Sequence, residues 1–102
     1  MNIALKTEDG KTFIELDGRL DTTSAPELEH RLGDVPEDAH TVIFDFAKLR
    51  YISSAGLRVL LAIKKKLGAK QGEIIIRNAN ELVMEVFEAT GFTDILTIEK
   101  AE

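Results

Sequence analysis

Residues 40–67 read HTVIFDFAKLRYISSAGLRVLLAIKKKL, and the fold turns on how that stretch is divided. HTVIFDF is a short, nearly continuous apolar run, the pattern of a strand buried on both faces. From about Ala55 to Leu67 the period changes. Gly56, Val59, Leu60, Ile63 and Leu67 recur at the spacing of one helical stripe, Arg58, Lys65 and Ala69 fall on the other side, and Gly68 is placed to close the helix. Between strand and helix lies YISSAG, residues 51–56, with two hydroxyls and two small residues. A strand that passes through a short loop into a helix is the unit of an α/β domain.

The flanking segments extend this pattern. NIALKT and KTFIELD are strand-like, and Asp9-Gly10 between them suits a tight hairpin turn that needs positive φ. Gly18 is expected to end the second strand. In GRLDTTSAPELEHRL, residues 18–32, Ser24 and Glu27 have the spacing of a capping box and Pro26 fits a first helical turn. Leu28 and Leu32 mark an i, i+4 apolar face. Further on, EIIIR reads as a buried strand, and Asn78 with Glu81 as a second capping box. Leu82, Val83, Val86 and Phe87 form a helical face, Gly91 is a stop, and DILTIE is a final strand. The order is ββαβαβαβ. It predicts a mixed sheet, an antiparallel hairpin followed by right-handed parallel crossovers, with about three to four helices packed on it. Sites in such sheets gather where strands end and helices begin. YISSAG is one such loop, and GRLDTTSA is another expected beside it.

Composition narrows the function classes. The chain has 102 residues, which fits one domain over residues 1–102, and is 44% hydrophobic. No apolar run approaches the roughly 20 residues of a membrane span, and MNIALKTEDG lacks the basic start and apolar stretch of a secretory signal, so the cytoplasm is the simplest compartment. Cysteine is absent, which removes disulfides and thiol nucleophiles. The net charge of −5 argues against direct nucleic-acid binding, which relies on a concentrated basic surface; Lys64-Lys65-Lys66 reads as a solvated helix face. An acidic domain with few aromatics more plausibly meets another protein.

Catalytic and cofactor patterns are missing as well. His30 and His40 have no second histidine or cysteine at ligand spacing and read as surface residues. There is no G-x-S-x-G, no G-x-x-x-x-G-K-[ST], no G-x-G-x-x-G and no D-x-D-x-D-G run. No enzyme activity, cofactor or metal is expected. A phosphate-accepting receiver domain would need an aspartate at a strand end and an acidic pair after the first strand. Asp45 lies inside its strand pattern and is better explained as a buried or edge aspartate held by hydrogen bonds.

The serine pair carries the remaining chemistry. A serine before a helix is most simply an N-cap, worth about 1 kcal/mol, and that reading fits Ser53 or Ser54. Three features point further. The first turn, AGLR, has no acid to repel an anion. Ala55 and Gly56 are small enough to leave the backbone N–H groups open and to let another protein approach. A helix N-terminus also favours anions through its free N–H groups and dipole. A phosphate on Ser54 would meet donors there and would add roughly −1.5 to −2 charge to a nearly neutral surface.

On these residues the chain resembles the STAS-domain family of bacterial anti-sigma-factor antagonists. YISSAGLRVLL resembles the family's phosphorylation-site signature, GRLDTTSAPEL its G-x-L-D segment, and ATGFTDIL its closing helix-to-strand segment, so the resemblance covers nearly the whole chain. It implies a protein that, when unphosphorylated, binds an anti-sigma factor that is also a serine kinase of the GHKL ATPase type, releasing a sigma factor. Phosphorylation of a serine before the second helix ends the complex, and a serine phosphatase resets it. The family pattern of aspartate, serine, serine or threonine, then glycine falls on Ser53, Ser54, Ala55 and Gly56, which maps the phosphoacceptor to Ser54. Ser53 departs from the usual aspartate, and Ala55 from a common second hydroxyl. The aspartate of G-x-L-D maps to Asp21, for which an interface role and a loop-stabilising role weigh about evenly. The implied partner surface comprises Asp21, Thr22, Ser53, Ser54, Ala55, Gly56, Leu57 and Arg58. Of these, Leu57 reads equally as core and Arg58 most simply as an exposed helix residue. Two other readings stand beside this one. One is a STAS-like docking subunit of another complex, such as a lipid-transport ATPase, without a phosphoswitch. The other is a small nucleotide-binding domain, against which the missing phosphate loop counts.

Overall fold

The computed structural model describes residues 1–99. Its elements follow the order β1 (Asn2–Glu8), β2 (Lys11–Leu20), α1 (Ala25–Arg31), β3 (Thr41–Ile52), α2 (Ser54–Gly68), β4 (Glu73–Arg77), α3 (Glu81–Thr90) and β5 (Thr97–Ile98). Short 3-10 turns at Leu32–Asp34 and Phe92–Asp94 follow α1 and α3. The strands form one sheet in the order β1-β2-β3-β4-β5, antiparallel in the first pair and parallel in the other three. The expected mixed α/β sheet is therefore the observed one. No helix among the described residues is long and apolar enough to cross a membrane.

Local chemistry sets these elements. Asp9 and Gly10 both take positive φ, 51° and 77°, and close the two-residue hairpin in the geometry that matches strand twist. The core lies between one face of the sheet and the helices. Ile14, Leu16, Val42, Phe44, Ile74 and Ile76 from the strands meet Leu28, Leu60, Val83 and Phe87 from the helices, all but fully buried. The α2 stripe is buried as its spacing requires. On the far face, Phe13, Ile43 and Ile75 align in register across β2, β3 and β4 and lie outside that core. Ile43 is still only 4% exposed, so β3 is buried on both faces, whereas Ile75 of β4 is half-buried.

Several boundaries differ from expectation. Gly18 does not end β2. The strand continues to Leu20 through Gly18 at φ 124°, where Met1 packs 3.6 Å from the position a Cβ would occupy. Likewise, β3 outruns HTVIFDF and reaches Ile52. The pairing of β2 with β3 shifts register twice, from Glu15↔Asp45 to Asp17↔Lys48 and from Gly18↔Leu49 to Arg19↔Tyr51. Each shift places one extra residue on β3, a β-bulge that bends the strand and re-aims its side chains. Asp45 sits at the first bulge, half-buried on the central strand rather than at an edge. Its Oδ1 accepts from the Ala47 amide at 2.9 Å and from Asn78 Nδ2 at 3.0 Å, so hydrogen bonds hold it as expected.

Three helix ends depart from the expected chemistry, although Ser24 does occupy the N-cap position of α1. Ser24 makes no side-chain cap to α1. Gly68 stays helical, and the turn after α2 is made by Gln71 at φ 59° and by Gly72, whose amide donates to the Leu67 carbonyl at 2.7 Å. Asn80 rather than Asn78 caps α3, accepting from the Val83 amide at 2.8 Å while its Nδ2 donates to the Leu49 carbonyl. Of the expected α3 face, Val83 and Phe87 are buried, Val86 is half-buried and Leu82 is 48% exposed. Gly91 ends α3 in the left-handed region at φ 78°.

Candidate functional site

Parallel pairing of β2 and β3 brings the two hydroxyl-rich loops together, because both leave the same end of the sheet. Leu20 and Ile52 are register partners, and the Ser53 amide donates to the Leu20 carbonyl at 2.8 Å. Gly56 seals this junction. A Cβ there would lie 2.7 Å from Leu20 Cγ and 2.9 Å from Ile52 Cγ1, so only glycine lets α2 start this close to both strands. On the opposite side of the strands, Arg19 stacks its guanidinium 4.6 Å from the Tyr51 ring centroid, again joining register partners.

The β2–α1 loop is internally satisfied. Asp21 Oδ1 accepts from the Thr23 hydroxyl at 2.7 Å, the Thr23 amide at 3.0 Å and the Ser24 amide at 3.1 Å. These bonds favour the charged carboxylate. The Thr23 hydroxyl leads, the Ser24 amide follows, and together they hold the Asp21 carboxyl below its ordinary value. Ser24 Oγ, nearly buried, accepts from the Asp21 amide at 2.9 Å and donates to the Arg19 carbonyl at 2.6 Å. Asp21 thus performs the loop-stabilising role weighed for it, and Ser24 ties the loop to β2 instead of capping α1. Thr22 is exposed at the turn.

The β3–α2 loop treats its two serines differently. Ser53, in extended backbone at φ −101° and ψ 175°, is the N-cap; its Oγ accepts from the Gly56 amide at 3.4 Å, and its carbonyl accepts from the Leu57 amide at 3.0 Å. Ser54 is the first helical residue. Its side chain is exposed and makes no hydrogen bond among the described residues, and the Ser54 and Ala55 amides are likewise without a partner there. The capping role considered for unmodified Ser54 therefore belongs to Ser53. A hydroxyl at the first position cannot reach back to cap its own helix, but it does sit among the open N–H groups of the N-terminus. Ala55 is half-buried and Gly56 buried. Leu57, 6% exposed, belongs to the core, and Arg58 is exposed.

Six of the eight sequence-predicted partner residues thus keep some surface at one end of the sheet, while Gly56 and Leu57 shape it from below. Two contributors escaped sequence reading. Arg19 and Tyr51 have no motif; only knowledge of the β2–β3 register would pair them. Among the described residues, no group of three His, Cys, Asp or Glu could hold a metal ion.

With this geometry in place, comparisons with known proteins agree. The sequence model of the STAS domain matches residues 2–102. A Bordetella bronchiseptica protein that bears the name anti-sigma factor antagonist BtrV is 36% identical over 99 residues, covering 96% of this chain and 85% of its own. The anti-sigma-B factor antagonist of Staphylococcus aureus is 27% identical over 101 residues, covering 98% and 94%. SpoIIAA, an anti-sigma factor antagonist solved in its unphosphorylated form, superposes with a TM-score of 0.78 at 21% identity over 99% of this chain and 90% of its own. The phosphorylated form of the Bacillus protein gives 0.76 at 20% identity, over 97% and 92%. By family match, identity and fold together, the chain belongs to the STAS-domain family of anti-sigma-factor antagonists.

Proposed function

We propose that this protein is a phosphorylation-switched antagonist. Unphosphorylated, it binds an anti-sigma factor that is also a GHKL-type serine kinase, in the cytoplasm, and so frees a sigma factor. Transfer of the ATP γ-phosphoryl group to Ser54 Oγ releases the hydroxyl proton and ADP and ends the complex. A serine phosphatase restores the hydroxyl by hydrolysis. The names of the relatives support the anti-sigma partner, and the phosphorylated form solved for SpoIIAA supports a covalent switch in this fold.

One observation carries the assignment to Ser54: of two adjacent serines, Ser53 is engaged as the helix cap and Ser54 presents a free, exposed hydroxyl. A phosphate there would lie against the open Ser54 and Ala55 amides and the positive end of a 15-residue helix. It would also put a double negative charge on a surface that must close against a partner, opposing that contact by charge and desolvation. The paired variants Ser54→Ala and Ser54→Asp test this by titration calorimetry against the anti-sigma kinase of the same genome. Ser54→Ala is expected to bind as the unmodified protein does, and Ser54→Asp about tenfold more weakly or worse. Equal affinities would contradict the switch and favour a docking subunit indifferent to phosphorylation.

A further inference from the structure

We infer that the sheet face turned away from the helices is a self-association surface, on which a second copy of this chain packs about a two-fold axis. Leu28 of α1, Leu60 of α2 and Val83 of α3 all pack into the core on one face of the sheet. Strands β2 to β5 run parallel, and parallel strands are ordinarily covered on both faces. The far face instead carries the row Phe13, Ile43 and Ile75, one residue from each of β2, β3 and β4, with no described helix over it.

Charge identifies the occupant as a second copy. On β2, Lys11 and Glu15 flank Phe13 on the same face; on β4, Glu73 and Arg77 flank Ile75. In register, Lys11 and Glu73 stand either side of Thr41, and Glu15 and Arg77 either side of Asp45. The four exposed charges therefore alternate in sign around the apolar row. Such a pattern is its own complement: turned face to face on itself, positive meets negative at every corner. With the axis along the row, Lys11 of one copy faces Glu15 of the other and Glu73 faces Arg77, while Phe13, Ile43 and Ile75 meet their own counterparts. Lys11, Glu15 and Glu73 make no ion pair among the described residues, and Arg77 pairs only with Glu99. Within these rows like charges meet only at Lys6, on the exposed edge strand, where Glu8 already pairs with it at 3.6 Å. An axis along β3 would instead stack half-buried Asp45 on itself at the centre. The helix face stays free, so pairing leaves Ser54 accessible in both copies.

Five strands about 4.8 Å apart and three rows about 6.6 Å apart cover less than the ~800 Å² per partner of a standard interface, so the dimer is expected to be weak, with Kd about 10–100 μM. The test is analytical ultracentrifugation of the full chain from about 10 μM to about 1 mM, a range that brackets such a constant. Lys11→Glu and Glu15→Lys, both at exposed sites and checked for folding by circular dichroism, should each weaken the dimer about tenfold or more. The double variant Lys11→Glu/Glu15→Lys reverses both members of each facing pair and should restore association to within about threefold. Lys65→Glu, exposed on α2 on the helix side, should associate as the unaltered protein does. A monomer throughout the range, a dimer indifferent to both single swaps, or a double variant as weak as the singles overturns the inference. So does a dimer that Lys65→Glu dissolves, which would place the contact on the helices.

Discussion

The Asp21–Ser24 loop and the Ser53–Ser54 turn leave adjacent parallel strands and both place hydroxyls at the start of a helix, yet their hydrogen-bonding differs. In the first, one carboxylate oxygen gathers three bonds from Thr23 and Ser24, and the Ser24 hydroxyl is committed to Asp21 and Arg19. In the second, only Ser53 is committed, and Ser54 keeps both its hydroxyl and its amide open. A hydroxyl-rich loop before a helix is therefore not in itself a modification site. What separates the two is which hydroxyl remains after the helix and the strand have taken what they need.

The largest expected effect concerns the junction that holds both loops in place. Gly→Ala inside a helix normally stabilises by up to about 1 kcal/mol. At Gly56 the new methyl would collide with Leu20 and Ile52, so Gly56→Ala should instead destabilise by about 1–3 kcal/mol in urea unfolding. A stabilised Gly56→Ala would show that the loops are not wedged together.

The next effect separates the loops by pH. The folded Asp21 carboxyl is depressed, so its contribution to stability is present above the ordinary carboxylate pKa and is lost as pH falls through the folded value. Asp21→Asn should flatten that part of the acid limb in pH-dependent unfolding, and Asp21→Ala should be less stable than the unaltered protein at neutral pH. An unchanged acid limb in Asp21→Asn would break the account of a closed β2–α1 loop.

Smaller effects divide the serines. Ser53→Ala removes an N-cap whose bond is long, 3.4 Å, and should cost about 0.5–1 kcal/mol. Ser54→Ala removes no bond made within the described residues and should lie within about 0.5 kcal/mol of the unaltered protein. Equal losses for the two would mean that the serines share the cap.

Much of this was legible in the sequence, and the limits of that legibility are physical. The hairpin follows from Asp9-Gly10, the α2 stripe from its spacing, and the element order from alternating periods. Those signals are local, and the structure keeps them. The ends at Ser24, Gly68 and Asn78 differ from the local signals because each is decided by a partner outside its own helix, although Ser24 does occupy the N-cap position of α1. Ser24 is drawn to the Arg19 carbonyl, the turn after α2 closes through Gly72 against the His40 carbonyl, and Asn80 bridges to Leu49 of β3. Leu82 was placed on the apolar face by composition, but it lies about 100° round the helix from Val83, and the buried stripe is the i, i+4 pair Val83 and Phe87. The candidate loop was legible as a motif, and its proximity to the β2–α1 loop followed from strand order. The unequal roles of Ser53 and Ser54 were not legible, because only the backbone φ and ψ at Ser53 decide which serine caps.

Phosphate mapping tests the central claim most directly. The protein is incubated with the anti-sigma kinase of its own genome and ATP, digested, and its hydroxyl-bearing peptides are sequenced by mass spectrometry. One phosphate on Ser54, with Ser53, Thr22, Thr23 and Ser24 unmodified, is the predicted result. Phosphate on Ser53 or in the β2–α1 loop, or none at all while the kinase binds the protein, would contradict it.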